Sequence, residues 1–294
     1  MRRGVTLIEL LFVMAIIGIL VAMSMGAYSA TVAQAKVHRT QAIVAKLDQL
    51  VLAKWEEYRT RAVPLKVPMG TNPDVAARAR LYALRELQRC EMPDRKTDVL
   101  DNPAIIAAPS LQKNYRRRAV PGWTEKHEGA ECLYLIVAAM RDGEDAALSW
   151  FSPSEIGDTD GDGMNEILDG FGQPVEFLRW ASGYVAEDGP VTFQTRDSVK
   201  APDEFDPIKR DPRWSDSDTT FAPYSLRPLV FSAGPDKEYG IGVDPRPSNQ
   251  PLRYSTTTPP NDPYFGWDGS FPMIGVSTGT ESADNITNHD YGDK

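Results

Sequence analysis

The chain has 294 residues, with 41 acidic against 32 basic side chains and a formal net charge of −9 at pH 7. That balance argues against a nucleic-acid surface and suits cation binding, the more so because the basic residues lie mostly in the first half and the acidic ones in the second. Hydrophobic residues make up 41%, and 23 Pro with 22 Gly predict many turns and a loop-rich exterior around one large domain or two small ones.

The first element is an apolar helix. No charged side chain occurs from Leu10 to Ala35, and about 20 apolar residues suffice to cross a hydrocarbon core roughly 30 Å thick. Arg2 and Arg3 precede it, which predicts a cytoplasmic N-terminus and a remainder sent across the membrane. Glu9 near the start is costly unless it lies at the interface or is paired. On the residues alone two readings stay open: a plain anchor whose Glu9 snorkels, or a charge that awaits a partner. A cleavable signal fits less well because its apolar region is only about 7–15 residues, although Ala33 and Ala35 mimic a cleavage site.

Gly4 followed by Val5-Thr6-Leu7-Ile8-Glu9-Leu10, then a long apolar helix with Gly18 and with Tyr28 at its far end, resembles the class III signal of type IV pilins and type II secretion pseudopilins. The resemblance implies cleavage after Gly4 by a prepilin peptidase and N-methylation of Val5, where the family most often has Phe. It also implies assembly through the helix, in which Glu9 neutralises the mature N-terminal amine of the adjacent subunit. Gly26 stands where the family usually has a helix-bending Pro.

Beyond the membrane Ile43, Leu47, Leu50, Val51 and Tyr58 recur at helical spacing, with Lys36, Arg39, Lys46, Asp48 and Lys54 at other positions. One helix of roughly 55 residues is expected, ended by Pro64, Pro68 and Gly70. Asn72-Pro73 then predicts a helix start, with Val75, Ala79, Tyr82 and Leu87 on a broad face up to Cys90. A further helix is expected over Ala130 to Arg141, stopped by Gly143. The basic run Asn114-Tyr-Arg-Arg-Arg118 reads as a solvated face or loop. Cys90 and Cys132 fall in the part expected outside the cytoplasm, where a disulfide between them would persist if their separation permits it.

The most informative outer stretch runs from Asp158 to Asp169. Asp158, Asp160 and Asp162 supply oxygens at the first, third and fifth places, Gly163 the turn at the sixth, Met164 a carbonyl at the seventh, Glu166 the ninth and Asp169 the twelfth. This is the spacing of an EF-hand calcium loop, with Asp for the usual Glu at the end. Pro153 lies shortly before it, so a free-standing loop resembling dockerin-like repeats is expected, and calcium is the expected cofactor. The alternative is an acidic solvated turn.

Asp169-Gly-Phe171-Gly172-Gln173-Pro174 next resembles the Asp-Pro-Trp-Gly-Asn-Pro element that leads into the sheet of major pseudopilins. Val175 and Phe177 alternate with Glu176 and Leu178 as in a strand. Leu229 to Gly240 is similar to the family's later strand and Ser-x-Gly-x-Asp turn, which implies a weaker second calcium set at Ser232, Asp236 and Asp244. Residues 181–228 read as a long insertion with Trp214 and Tyr224 as anchors. Gly275-Val-Ser277-Thr-Gly279 with Asp284 and His289 fits a hydrolase order, but a nucleophile elbow needs a helix after the turn, and only a polar tail remains.

The expected fold is therefore α+β and pilin-like. Its parts are a leader (1–4), a membrane and polymerisation half-helix (5–28), an amphipathic half-helix (29–63), a helical middle (64–150) and a sheet and calcium-loop region (151–294). The expected partners are copies of itself or other pilins, the prepilin peptidase and an inner-membrane assembly platform, not nucleic acid. A membrane-tethered calcium-binding protein or enzyme that never polymerises is the competing reading. Size and long loops leave a minor or tip subunit as open as a major one.

Overall fold

The computed structural model describes residues 6–143, 145–184, 198–214, 222–243, 262–266, 269 and 272–289. Among these residues five helices come first: α1 (Leu7–Glu57), α2 (Pro73–Glu91), α3 (Lys96–Leu100), α4 (Ser110–Arg118) and α5 (Glu128–Ala139). The short strands described after them are β1 (Arg141–Asp142), β2 (Asp145–Ala146), β3 (Ile156–Gly157), β4 (Glu166–Ile167), β5 (Glu176–Leu178), β6 (Leu229–Ser232) and β7 (Ile286–Thr287). β1 pairs with β2, β3 with β4, and β5-β6-β7 form a three-stranded sheet, all antiparallel. The architecture is α+β and pilin-like.

At 51 residues and 1.5 Å per residue, α1 is about 75 Å long. It has two halves because its sequence has two. Every residue from Thr6 to Lys36 is exposed, whereas Ile43, Val44, Leu47, Leu50, Val51, Trp55 and Tyr58 are buried in the main core. The predicted stripe is in place, with one correction: Lys54, expected on the solvent side, is buried. Its ammonium lies 2.7 Å from Glu57 and 3.8 Å from Glu91. Tyr58 and Arg61 also reach Glu91, at 3.1 and 2.5 Å. These bonds to α2 draw the chain away after Glu57, so α1 stops before Pro64, where the sequence suggested its end.

The sheet separates two cores by strand alternation. Phe177 on β5 pairs with Val230 on β6, and both join the main cluster with Leu133, Ile136 and Val137 of α5 and the buried stripe of α1. The flanking Leu178, Leu229 and Phe231 join a smaller cluster with Ala181, Ile241 and Ile274. Truncating a residue such as Phe177, fully buried here, costs about 3–5 kcal/mol in comparable cores.

Asn72 caps α2 as predicted, its side chain accepting from the Asp74 N–H. The core face is Leu81, Leu84 and Leu87, while Val75 is exposed. From Ala83 to Glu91 the helix is buried all round, so its arginines need buried partners. Arg85 meets Asp211 at 2.8 Å and Asp203 at 3.1 Å, both contributed by the long insertion. Arg89 and Arg179 both reach Asp98, at 3.2 and 2.8 Å. Burial works against the Asp98 charge, but these two guanidiniums hold its carboxyl below the usual carboxylate range.

Three further expectations are corrected. The run 114–118 is helical and not merely solvated: Tyr115 is buried and donates to the Glu91 carbonyl, and Arg116 donates to the Val99 and Asp101 carbonyls. α5 ends at Ala139, short of Arg141, and β1 and β2 form a hairpin within the expected helical middle. Cys90 and Cys132 are buried free thiols on α2 and α5, not a disulfide. Burial pushes the Cys90 thiol up to about 12, which leaves it protonated and inert at neutral pH.

Candidate functional site

Two assemblies of residues stand out, the free half of α1 and the acidic loop. At the start of α1, Thr6 and Glu9 form a capping box. The Glu9 carboxylate accepts from the Thr6 N–H at 2.8 Å and from its hydroxyl at 2.9 Å, and the Thr6 hydroxyl accepts from the Glu9 N–H at 3.3 Å. Two orphan N–H groups of the helix start are satisfied in this way. The Ser/Thr-x-x-Glu spacing was readable in the sequence and was missed there. Gly4 and Val5 lie outside the described residues. α1 is the helix, among the described residues, long and apolar enough to cross a membrane, and its most apolar window is 0% buried.

Residues 1–25 match a family model, the prokaryotic N-terminal methylation motif. The chain carries a pilin-type N-terminus. This is the class III signal of type IV pilins and pseudopilins, and its described residues belong to the start of α1, which is exposed among the described residues. No curated protein and no solved structure matches the chain. The match covers the first 25 residues and leaves the other 269 outside it.

Their chemistry is concentrated in the loop between β3 and β4. The Asp158, Asp160 and Asp162 side chains offer oxygens all within 4.8 Å of one another. The loop backbone holds them there. Asp158 accepts from the Gly161 and Gly163 N–H groups at 2.7 and 3.0 Å, Asp160 from Asp162 at 3.3 Å, and Asp162 from Met164 at 2.8 Å. Gly163 sits at φ 96°, a backbone conformation that L side chains rarely adopt. Thr124, from the α4–α5 connection, donates its N–H to Asp162 at 2.6 Å and its hydroxyl to Asp160 at 3.1 Å. Oxygen donors alone, held on a tight turn, suit a hard cation such as Ca²⁺.

The structure distributes the other expected ligands differently. Glu166 faces the loop: Thr159 donates to its two oxygens at 3.0 and 3.3 Å. Met164 buries its side chain in the main core. Asp169 turns away. Its carboxylate accepts from the Phe171 and Gln173 N–H groups at 2.7 and 2.9 Å and from the Ser232 hydroxyl at 2.6 Å. The reason is local. The chain leaves the loop as strand β4, and residues three apart on an extended chain point to opposite faces, so Glu166 and Asp169 cannot both face the loop. Ser232 is thus tied to Asp169, and the Asp236 N–H donates to Asp284 at 3.2 Å. The weak second set is not brought together among the described residues; Asp244 lies outside them.

Sequence reasoning missed one carboxylate. Glu131, in the first turn of α5, offers an oxygen within 4.8 Å of ligand atoms of Asp160 and Glu166. A lone acid in the otherwise apolar run Ala130 to Val137 was the available signal. Burial, with Asp162, Asp160 and Glu166 adding charge of like sign, pushes its carboxyl up to about 9. Burial also lifts Glu166 to about 7. The hydrolase-like set is dispersed: Ser277 contacts Ser282, Asp284 serves Asp236, and His289 is buried against the Pro228 carbonyl and the Tyr184 ring.

Proposed function

We propose that the chain is a structural subunit of a type II secretion pseudopilus or a type IV pilus-like filament. In this reading a prepilin peptidase cleaves after Gly4 and Val5 becomes the methylated N-terminus. The subunit waits in the inner membrane with its globular part in the periplasm, then passes through an assembly platform to stack with copies of itself or other pilins. The observation that carries the reading is a methylation motif at the start of a half-helix that is fully exposed among the described residues. Glu9 would exchange its bond to Thr6 for the amine of the neighbouring subunit, since a charge removed from water needs a partner. Asp158, Asp160 and Asp162, with Glu166 behind them, would hold Ca²⁺ and stiffen the outer loops.

The test is made on the protein from its native membrane. Intact mass and N-terminal analysis are expected to show a chain that begins at methylated Val5, and Glu9→Ala to be processed yet absent from filaments. Filaments that form normally with Glu9→Ala would sink the reading, and a chain that begins at Met1 would favour the tethered monomer.

A further inference from the structure

The acidic loop has an inner face that the calcium spacing did not foresee. Glu131 on α5 and Glu166 on β4 are both 0% exposed, and with Asp160 they bring carboxylate oxygens within 4.8 Å of one another. One oxygen of Glu131 accepts from the Trp123 indole N–H. The other, Oε1, is buried and has no hydrogen-bond partner among the described residues. Buried polar atoms are almost always satisfied, and an orphaned carboxylate oxygen is among the most costly exceptions. The neighbouring carboxylates Asp162, Asp160 and Glu166 all oppose the ionisation of Glu131. A buried carboxyl with an unsatisfied oxygen, kept from ionising by neighbouring carboxylates, is the environment a cation relieves.

We propose that Glu131, Asp160 and Glu166 form an inner site for a hard divalent cation, separate from the outer Asp158–Asp160–Asp162 triad and joined to it through Asp160. The inference rests on the calcium reading of the loop for its choice of ion, while the site's position rests on Glu131 alone. Donors from α5 and β4 belong to the folded core, so this ion ties the loop to it. The outer ion orders only the loop itself.

The experiment counts Ca²⁺ bound to the full-length chain in detergent after chelator stripping, by equilibrium dialysis with Ca²⁺ alone. Glu131→Gln is expected to lower the count by one, and Asp158→Asn with Asp162→Asn to lower it by one independently. Gln keeps an oxygen acceptor for Trp123, and unchanged circular dichroism establishes that the variant folds. A second readout uses Tb³⁺: emission excited through the adjacent Trp123 is expected to be lost in Glu131→Gln and in Glu166→Gln and kept in the Asp158/Asp162 variant. A count unchanged by Glu131→Gln overturns the inner site and leaves the loop reading standing. A count lowered by Glu131→Gln and unmoved by the Asp158/Asp162 change supports the inner site and removes the outer one. No Ca²⁺ bound by the unaltered chain overturns both.

Discussion

His127 shows how a single side chain is held at the edge of the site. It occupies a left-handed conformation, φ 59°, as the N-cap of α5, and its Nδ1 lies 2.9 Å from Glu176 on β5. The bond to Glu176 raises its pKa above the ordinary value, although burial opposes the charge. A histidine raised on folding contributes stability that is complete below the unfolded value of about 6.5 and is lost as pH rises through the folded one. Urea unfolding between pH 5.5 and 8.5 should therefore show a loss on the order of 1 kcal/mol from this pair, and Glu176→Gln should remove that slope. Neither partner was legible as a pair, because 49 residues separate them and only the packing of α5 on β5 joins them. Glu131 escaped for a similar reason: the EF-hand spacing is local, and its extra donor comes from another helix. Asp158, Asp160 and Asp162 were legible because their arrangement is made within five residues of backbone.

At the scale of elements, the turn after the acidic loop meets α1. The Gly170 N–H donates to the Thr40 hydroxyl at 2.9 Å, and a Cβ on Gly170 would lie 2.3 Å from the Lys36 carbonyl oxygen. Such contact with backbone admits no side chain. Gly170→Ala is expected to destabilise the subunit by about 2–3 kcal/mol, read as a lowered denaturation midpoint. Gly26→Ala, where a Cβ meets nothing within 4 Å, should leave the midpoint in place. The resemblance of Asp169 to Pro174 to a pseudopilin turn indicated that this element leads into the sheet, as it does before β5. Its docking on α1 at the boundary between free and buried halves came only with the fold. Helix starts were legible where a capping side chain is local, as at Asn72. The end of α1 was not, because it depends on Glu91 in α2.

For the whole molecule, the acidic loop is a junction. Thr124 from the α4–α5 connection holds its aspartates, and Glu166 anchors it on β4. If Ca²⁺ binds only the folded arrangement, free ion at 100 times its dissociation constant adds about 2.7 kcal/mol to stability. Thermal unfolding should shift upward with Ca²⁺, and Asp160→Ala with Asp162→Ala should abolish the shift; an equal response would remove this loop as the site. The exposed half of α1 has a different consequence. Its apolar side chains are exposed among the described residues, so in the proposed assembly folding and polymerisation would draw on separate residues and could be altered separately. In the proposed assembly that half exchanges lipid tails for the helices of its neighbours, two surroundings of equal oiliness. Burial from water then favours neither, and growth and retraction become nearly isoenergetic transfers whose direction is decided by close packing and by where one carboxylate, Glu9, finds its counter-charge.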